Sequence, residues 1–303
     1  MRSAKKAVNV SRLAARCGMA LALAGVLSAC TSLSLPWSEP TGGNRPETVW
    51  AVTANHELIH FNAGQPGKLL SSRPLQGLSE GEVIVGIDYR VARGVLYALS
   101  SAGRLYTLDT VQARLNWVPA PLLSLSPQQA HGFDFNPTVD RIRVISEDGR
   151  NMRVHPDTGA LVDGDPAQAG VQPDGALRYA DATVRPRVAG MAYTYNTRDD
   201  KLTTGYAIDM SQGTLVTLGS AEGVSPVVSP NGGMLFKVGG LGLGPLREVS
   251  FDISDVRNTA LAAVVTQGEA RTRLYRIDLR TGQASLLGTV GQGQSLRGVA
   301  IEP

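Results

Sequence analysis

Two groups of residues in this chain have types and spacings that chemistry could use. The first is His56-Glu57-Leu58-Ile59-His60, the H-E-x-x-H pattern with which zinc peptidases grip a metal and activate a water. The second is Asp88, Asp134 and Asp252, each the third residue of a recurring four-residue motif. Three carboxylates at equivalent positions of a repeat could meet at an axis, hold a cation or serve acid–base chemistry on a glycan. What either group does depends on the elements that carry it.

Those elements read as strands. From residue 48 onward, short apolar or alternating runs are separated by Gly, Asp, Asn and Pro clusters, with no sustained helical period. One motif recurs: Gly86-Ile87-Asp88-Tyr89, Gly132-Phe133-Asp134-Phe135, Gly190-Met191-Ala192-Tyr193, Ser250-Phe251-Asp252-Ile253 and Gly298-Val299-Ala300-Ile301. The intervals of 46, 58, 60 and 48 residues suit propeller blades of about four strands. A second pattern, Leu105-Tyr106-Thr107-Leu108-Asp109, Tyr206-Ala207-Ile208-Asp209 and Leu274-Tyr275-Arg276-Ile277-Asp278, reads as the third strand of a blade. His155-Pro156-Asp157-Thr158-Gly159-Ala160 and Leu279-Arg280-Thr281-Gly282-Gln283-Ala284 read as turns opening a fourth strand. The last motif copy is a lone strand, and the first repeat lacks its own first strand. The fold class is therefore all-β: a five-bladed β-propeller over residues 48–303, closed by the C-terminal strand joining the N-terminal blade.

The repeat places the histidines. Without gaps, Val49 to Asn62 lies over Leu96 to Asp109, so His56 takes the place of Gly103 in a hairpin turn and His60 falls in the next strand. Zinc ligands need adjacent helical turns, about 6 Å apart, with Zn–N bonds of about 2.1 Å. On a strand, residues i and i+4 lie about 13 Å apart. The pattern is a turn followed by a strand, and Glu80 and Glu82, in a loop, supply no third ligand.

For the three aspartates, repetition of position favours a packing device in which each carboxylate bonds backbone of the neighbouring blade. Asp88, Asp134 and Asp252 remain the only candidates for a cation; no catalytic residue, metal site or cofactor is assigned. Asp157, Asp163 and Asp165 lack the ligand spacing of a calcium loop and read as solvated turn residues. Gly239 to Gly244 lacks the G-x-G-x-x-G spacing and a following helix. Trp50 and Trp117 fall in strands, where burial is expected, and Trp37 precedes the domain.

The N-terminus concerns address. Arg2, Lys5, Lys6, Arg12 and Arg16 precede an apolar run, Gly18–Ala29, too short to span a bilayer. Residues 1–29 read as a signal peptide. Leu27-Ser28-Ala29-Cys30 resembles a bacterial lipobox, making Cys30 the lipidated first mature residue and membrane lipid its anchor. Thr31 in place of an inner-membrane retention aspartate points to the outer membrane, facing the periplasm. Residues 30–47 read as a tether. Removing five basic leader residues turns 29 basic and 26 acidic residues into 24 and 26, a mature charge of −2, which argues against a nucleic-acid partner.

Gly132 to Ser146 and Asn151 to Ala160, with Val85 to Tyr89 and Leu296 to Ala300, resemble the bacterial family known as domain of unknown function 4394. Residues 193–246 depart from that pattern, with a short loop after Tyr193 and Tyr206-Ala207-Ile208-Asp209 where the family has Tyr-Asp-Ile-Asp. The resemblance implies a secreted, propeller-like repeat domain and carries over no catalytic residue or ligand. The expected role is a lipid-anchored envelope module that binds an envelope protein or a small ligand. The alternative is a propeller hydrolase, acting on glycans or lactones through the channel carboxylates.

Overall fold

The structure, a computed structural model, describes residues 42–126 and 128–303. The proposed signal peptide, Cys30 and most of the expected tether lie outside the described residues. Among the described residues no helix is long and apolar enough to cross a membrane.

Blade 1 contains β1 (Thr48–Thr53), β2 (Glu57–Asn62) and β3 (Leu69–Pro74). Blade 2 is β4 (Ile84–Arg90), β5 (Val95–Ser100), β6 (Leu105–Asp109) and β7 (Arg114–Trp117). Blade 3 has three strands, β8 (His131–Asn136), β9 (Arg141–Ser146) and β10 (Asn151–Val154). Blade 4 is β11 (Val188–Tyr193), β12 (Gly205–Asp209), β13 (Thr214–Leu218) and β14 (Leu235–Gly240). Blade 5 is β15 (Leu246–Ile253), β16 (Ala260–Thr266), β17 (Arg273–Ile277) and β18 (Ala284–Thr289). The final strand, β19 (Leu296–Ile301), pairs antiparallel with β1 and completes blade 1. The result is the expected closed five-bladed propeller, with all five motif copies on innermost strands.

Glycine in the first motif position explains how tightly these inner strands meet. A Cβ on Gly86 would stand 2.4 Å from Cβ of Phe133, and one on Gly132 would stand 2.7 Å from the Met191 nitrogen. Apolar residues then fill each blade-to-blade interface with its own core cluster. Trp50, Val52 and Leu58 meet blade 2; Tyr97 and Leu99 meet blade 3; Ile145 meets blade 4. Ile208 and Leu215 meet blade 5, and Leu261 and Leu274 return to blade 1.

Three expectations are refined. Tyr206–Asp209 lies in the second strand of its blade, because β11 pairs directly with β12 and no other strand lies between them. Its resemblance to third strands comes from the turn that follows. Asp109, Asp209 and Asp278 each accept from the amide two residues on, at 2.8–2.9 Å. Trp117 is 56% exposed, since outermost β7 has nothing beyond it to cover alternate residues. At the start of the domain the described part of the tether, from Gly42, lies against blade 1. There Asn62 bonds Arg45 and Glu47 carbonyls, and Glu47 accepts from Thr259.

Closure carries much of the stability. Removing β19 deletes Leu296, Val299 and Ile301 from one cluster and Ala300 from another. At about 1.5–3 kcal/mol for each large apolar side chain, the loss rivals the ~5–15 kcal/mol net stability of a domain. A chain lacking residues 296–303 should lose its cooperative melting transition; an unchanged melting temperature would refute the closure.

Candidate functional site

At the axis, the motif's third and fourth positions interlock. Asp88 Oδ2 accepts from the Phe135 amide of blade 3 at 2.7 Å, and Asp134 Oδ2 from the Tyr193 amide of blade 4 at 3.0 Å. Asp252 Oδ2 accepts from the Ile301 amide of blade 1 at 2.5 Å. The expected backbone-bonding role is thus seen at every aspartate of the motif. Two blades carry Ala192 and Ala300 instead, so the next amides in the ring, Ile253 and Tyr89, receive nothing from the preceding blade. They are taken by their own neighbours: Ile253 donates to Asp252 Oδ1 at 2.6 Å and Tyr89 to Asp88. Three carboxylates thereby satisfy five buried amides.

The cost is crowding of charge. One oxygen from each aspartate can be chosen so that all three lie within 4.8 Å of one another, and all three residues are buried. Burial pushes the Asp88 and Asp134 carboxyls well above the usual range, reinforced by their negative neighbours. Burial likewise pushes Asp252 up to about 6. Both effects favour the neutral acids, so the buried cluster takes up protons more readily than free aspartates do. This group could offer a cation one oxygen from each residue, but four of its six oxygens already face amide donors. Between the inner strands around Gly86, Gly132, Gly190 and Gly298 the free space is only about 10 Å³, at the lower limit for one water.

The other sequence candidates resolve into structural parts. His56 has φ +61° in the β1–β2 turn, as Gly103 has φ +79° in the β5–β6 turn. His60 stacks on Trp50 with ring centroids 4.0 Å apart. Glu82 pairs with Arg104. Asp163 and Asp165 accept from nearby amides as turn residues. Asp157 does more than a solvated turn residue: with Asp140 it binds the buried Arg90 guanidinium, tying the inner end of blade 2 to blade 3. Gly239 lies where a Cβ would meet the Thr281 carbonyl at 2.0 Å, a packing constraint between blades 4 and 5.

Two features escaped sequence reasoning. Arg143, 2% exposed, bonds Asn151, Asp174, Asn231 and the Tyr193 hydroxyl. Asp174 also receives Arg153. An arginine inside the apolar run of β9 was the available signal, but its carboxylate lies 31 residues away in a loop without a pattern. The second feature is a cavity of about 630 Å³ along the outer edge of blade 3. Pro121, Leu122 and Leu123 line one side, Pro173, Asp174 and Ala176 the other, with Asn151 and Met152 of β10 between. Its origin is local. The turn from His155 to Ala160 forms as expected, and Val162 donates to the Arg153 carbonyl at 2.8 Å. The chain then folds back, with the Gly164 amide on the Gln172 carbonyl, and no fourth strand is completed.

A closed ring of five antiparallel sheets with buried carboxylates on three of its innermost strands defines a five-bladed β-propeller. This one belongs to the family described as domain of unknown function (DUF4394), which matches residues 57–300. No curated protein matches the chain. Among solved structures it is similar to a chain of a nidogen/laminin complex, at 11% identity over 85% of this chain and 98% of that one, TM-score 0.48. It is also similar to a protein of unknown function from Bacteroides thetaiotaomicron (15% identity, 84% and 56% covered, TM-score 0.42). A third is the Dos1 propeller (11%, 82% and 61%, TM-score 0.40). These likenesses concern the fold alone.

Two outcomes test the axis. Asp88→Ala and Asp252→Ala each strand two amides and Asp134→Ala one, at about 1–3 kcal/mol per buried unsatisfied group. Denaturant unfolding should therefore rank Asp134→Ala as the mildest; equal losses would contradict the shared-amide arrangement. The raised carboxyls also bind protons in the folded state that the unfolded chain releases above about pH 4. In chelator-treated protein they make stability fall as pH rises through 6 and beyond. His131, whose pKa burial lowers, adds the opposite slope, so the readout is a difference between variants. Asp134→Asn mimics the protonated acid and should raise the melting temperature at pH 8 more than at pH 5; an equal change at both would exclude a raised Asp134 carboxyl.

Proposed function

We propose that the protein is a non-catalytic binding module of the bacterial cell envelope. In this reading lipid on Cys30 holds it at the outer membrane and the propeller faces the periplasm. The observation that carries the binding role is the blade 3 cavity, whose volume of about 630 Å³ lies in the ~300–1,000 Å³ range of ligand sites. Its walls are largely apolar, and its buried polar side chains, Asn151 and Asp174, are already bonded within the protein. A rigid propeller with one incomplete blade offers recognition from a fixed scaffold.

The hydrolase alternative draws on the raised carboxyls, since catalytic acids need such values. Against it stands access. Glycan hydrolysis needs room for the sugar and for a water between or beside the acids, and these carboxylates are buried and hold backbone amides.

The test uses a photo-crosslinking residue at Leu122, in the cavity wall, and at Val111, exposed on the blade 2 turn. In living cells Leu122 should give a discrete adduct and Val111 none, and Cys30→Ser should release the protein from the membrane fraction. Adducts alike at both positions would remove the cavity from the account. Glycan or lactone hydrolysis that Asp134→Asn abolishes would establish the enzyme instead.

A further inference from the structure

Each of the other four blades ends on a fourth strand, β3, β7, β14 or β18, paired to its third. In blade 3 that ladder begins and stops. The His155 amide bonds the Ala160 carbonyl, Val154 bridges Leu161, and Val162 donates to Arg153. The next outward-facing residue of β10 is Asn151. The Ser146 amide bonds the Arg150 carbonyl, so by antiparallel alternation Asn151 opposite Ile145 turns its own N–H and C=O away from β9. Among the described residues no backbone group takes them up. The residue due to pair there is Gly164, which is folded back onto Gln172. One step further, the Gly149 carbonyl is taken by the Leu177 amide, which bounds the open stretch.

The cavity occupies this gap. It has the form of a slot whose floor is the edge of β10 and whose two walls come from residues 121–124 and 173–176. The blade 2 side presents Leu123, Met152 and Leu161; the blade 4 side presents Pro173 and Ala176. A buried sheet edge with an unpaired N–H and C=O favours an occupant that brings a carbonyl and an amide in strand geometry. Walls of this kind accept side chains that alternate, apolar toward Leu123 and Met152 and small toward Ala176.

We propose that the blade 3 slot takes an extended peptide segment of another envelope protein by strand addition. The segment continues the ladder begun at Val162, bonds the Asn151 N–H and C=O, and stands in for the missing fourth strand. This inference rests on the cavity being the binding site and names the class of its occupant. Main-chain bonds would supply affinity and the alternating pockets specificity, as in other β-augmentation sites.

The experiment selects binders from a random seven-residue peptide library on the full-length protein. Selection is countered with Ala176→Trp, which fills the slot from an exposed wall position; Leu122→Trp is a second blocking variant, and both should melt like the parent. Enriched peptides should alternate apolar and small or polar residues and exclude proline centrally. They should lose at least tenfold in affinity on either blocked variant and slow hydrogen exchange of the Asn151 amide at least tenfold. Peptides that bind the slot but leave the Asn151 amide exchanging freely would overturn strand addition and leave the cavity's binding role standing. A library yielding no peptide that distinguishes parent from blocked variants would overturn the peptide occupant. Loss of the in-cell adduct at Leu122 would instead remove the cavity's binding role itself.

Discussion

The centre of this propeller is organised by one requirement: five backbone amides on buried residues of the inner strands need acceptors. Three aspartates meet it, two of them serving an amide in their own strand and one in the next. Two residues before Asp88 and Asp134, a glycine lets the strands come close enough for those bonds, while Ser250 takes that place before Asp252, and the apolar residue between fills the interface. The motif is one joint described by its parts. Where alanine replaces aspartate, the amide that it leaves behind is recovered by the following blade's own acid, so three carboxylates suffice for five positions.

That arrangement fixes the character of the axis. Acids brought close enough to serve a ring of amides repel one another, and burial favours their neutral forms, so the centre holds protons at pH values where free aspartates have none. Raised carboxyl pKa values are often a mark of catalysis, but burial and neighbouring charge account for them here. At the rim of blade 3 the regular ladder breaks, and an ion-paired network of Arg143, Arg153 and Asp174 ties the incomplete edge together. A buried pair of this kind depends on its remaining hydrogen bonds, and Asn151, Asn231 and Tyr193 provide them.

Much of this was legible before folding, for a physical reason. Strand alternation, turn chemistry and the first-strand motif are local properties, so the five inner strands, the His56 turn and closure through Leu296–Ile301 could all be read from spacing. The position of Tyr206–Asp209 within its blade could not, because its aspartate turn looks the same after a second strand as after a third. Trp117 failed for a related reason: a strand pattern does not say whether anything packs beyond its outer edge. Asp157 looked like a turn residue and is one, yet its carboxylate also holds an arginine 67 residues earlier.

The sequence by itself determined the fold class, the number of blades, the closing strand and the chemistry at the axis, because a repeat states its own geometry several times over. What the folded chain alone settled is that two of the acids also hold an amide of their own strand, that burial raises all three carboxyls, and that blade 3 stops one strand short. Those outcomes depend on distances between residues far apart in the chain. No local pattern encodes how much space is left when blades with unequal loops are closed into one ring.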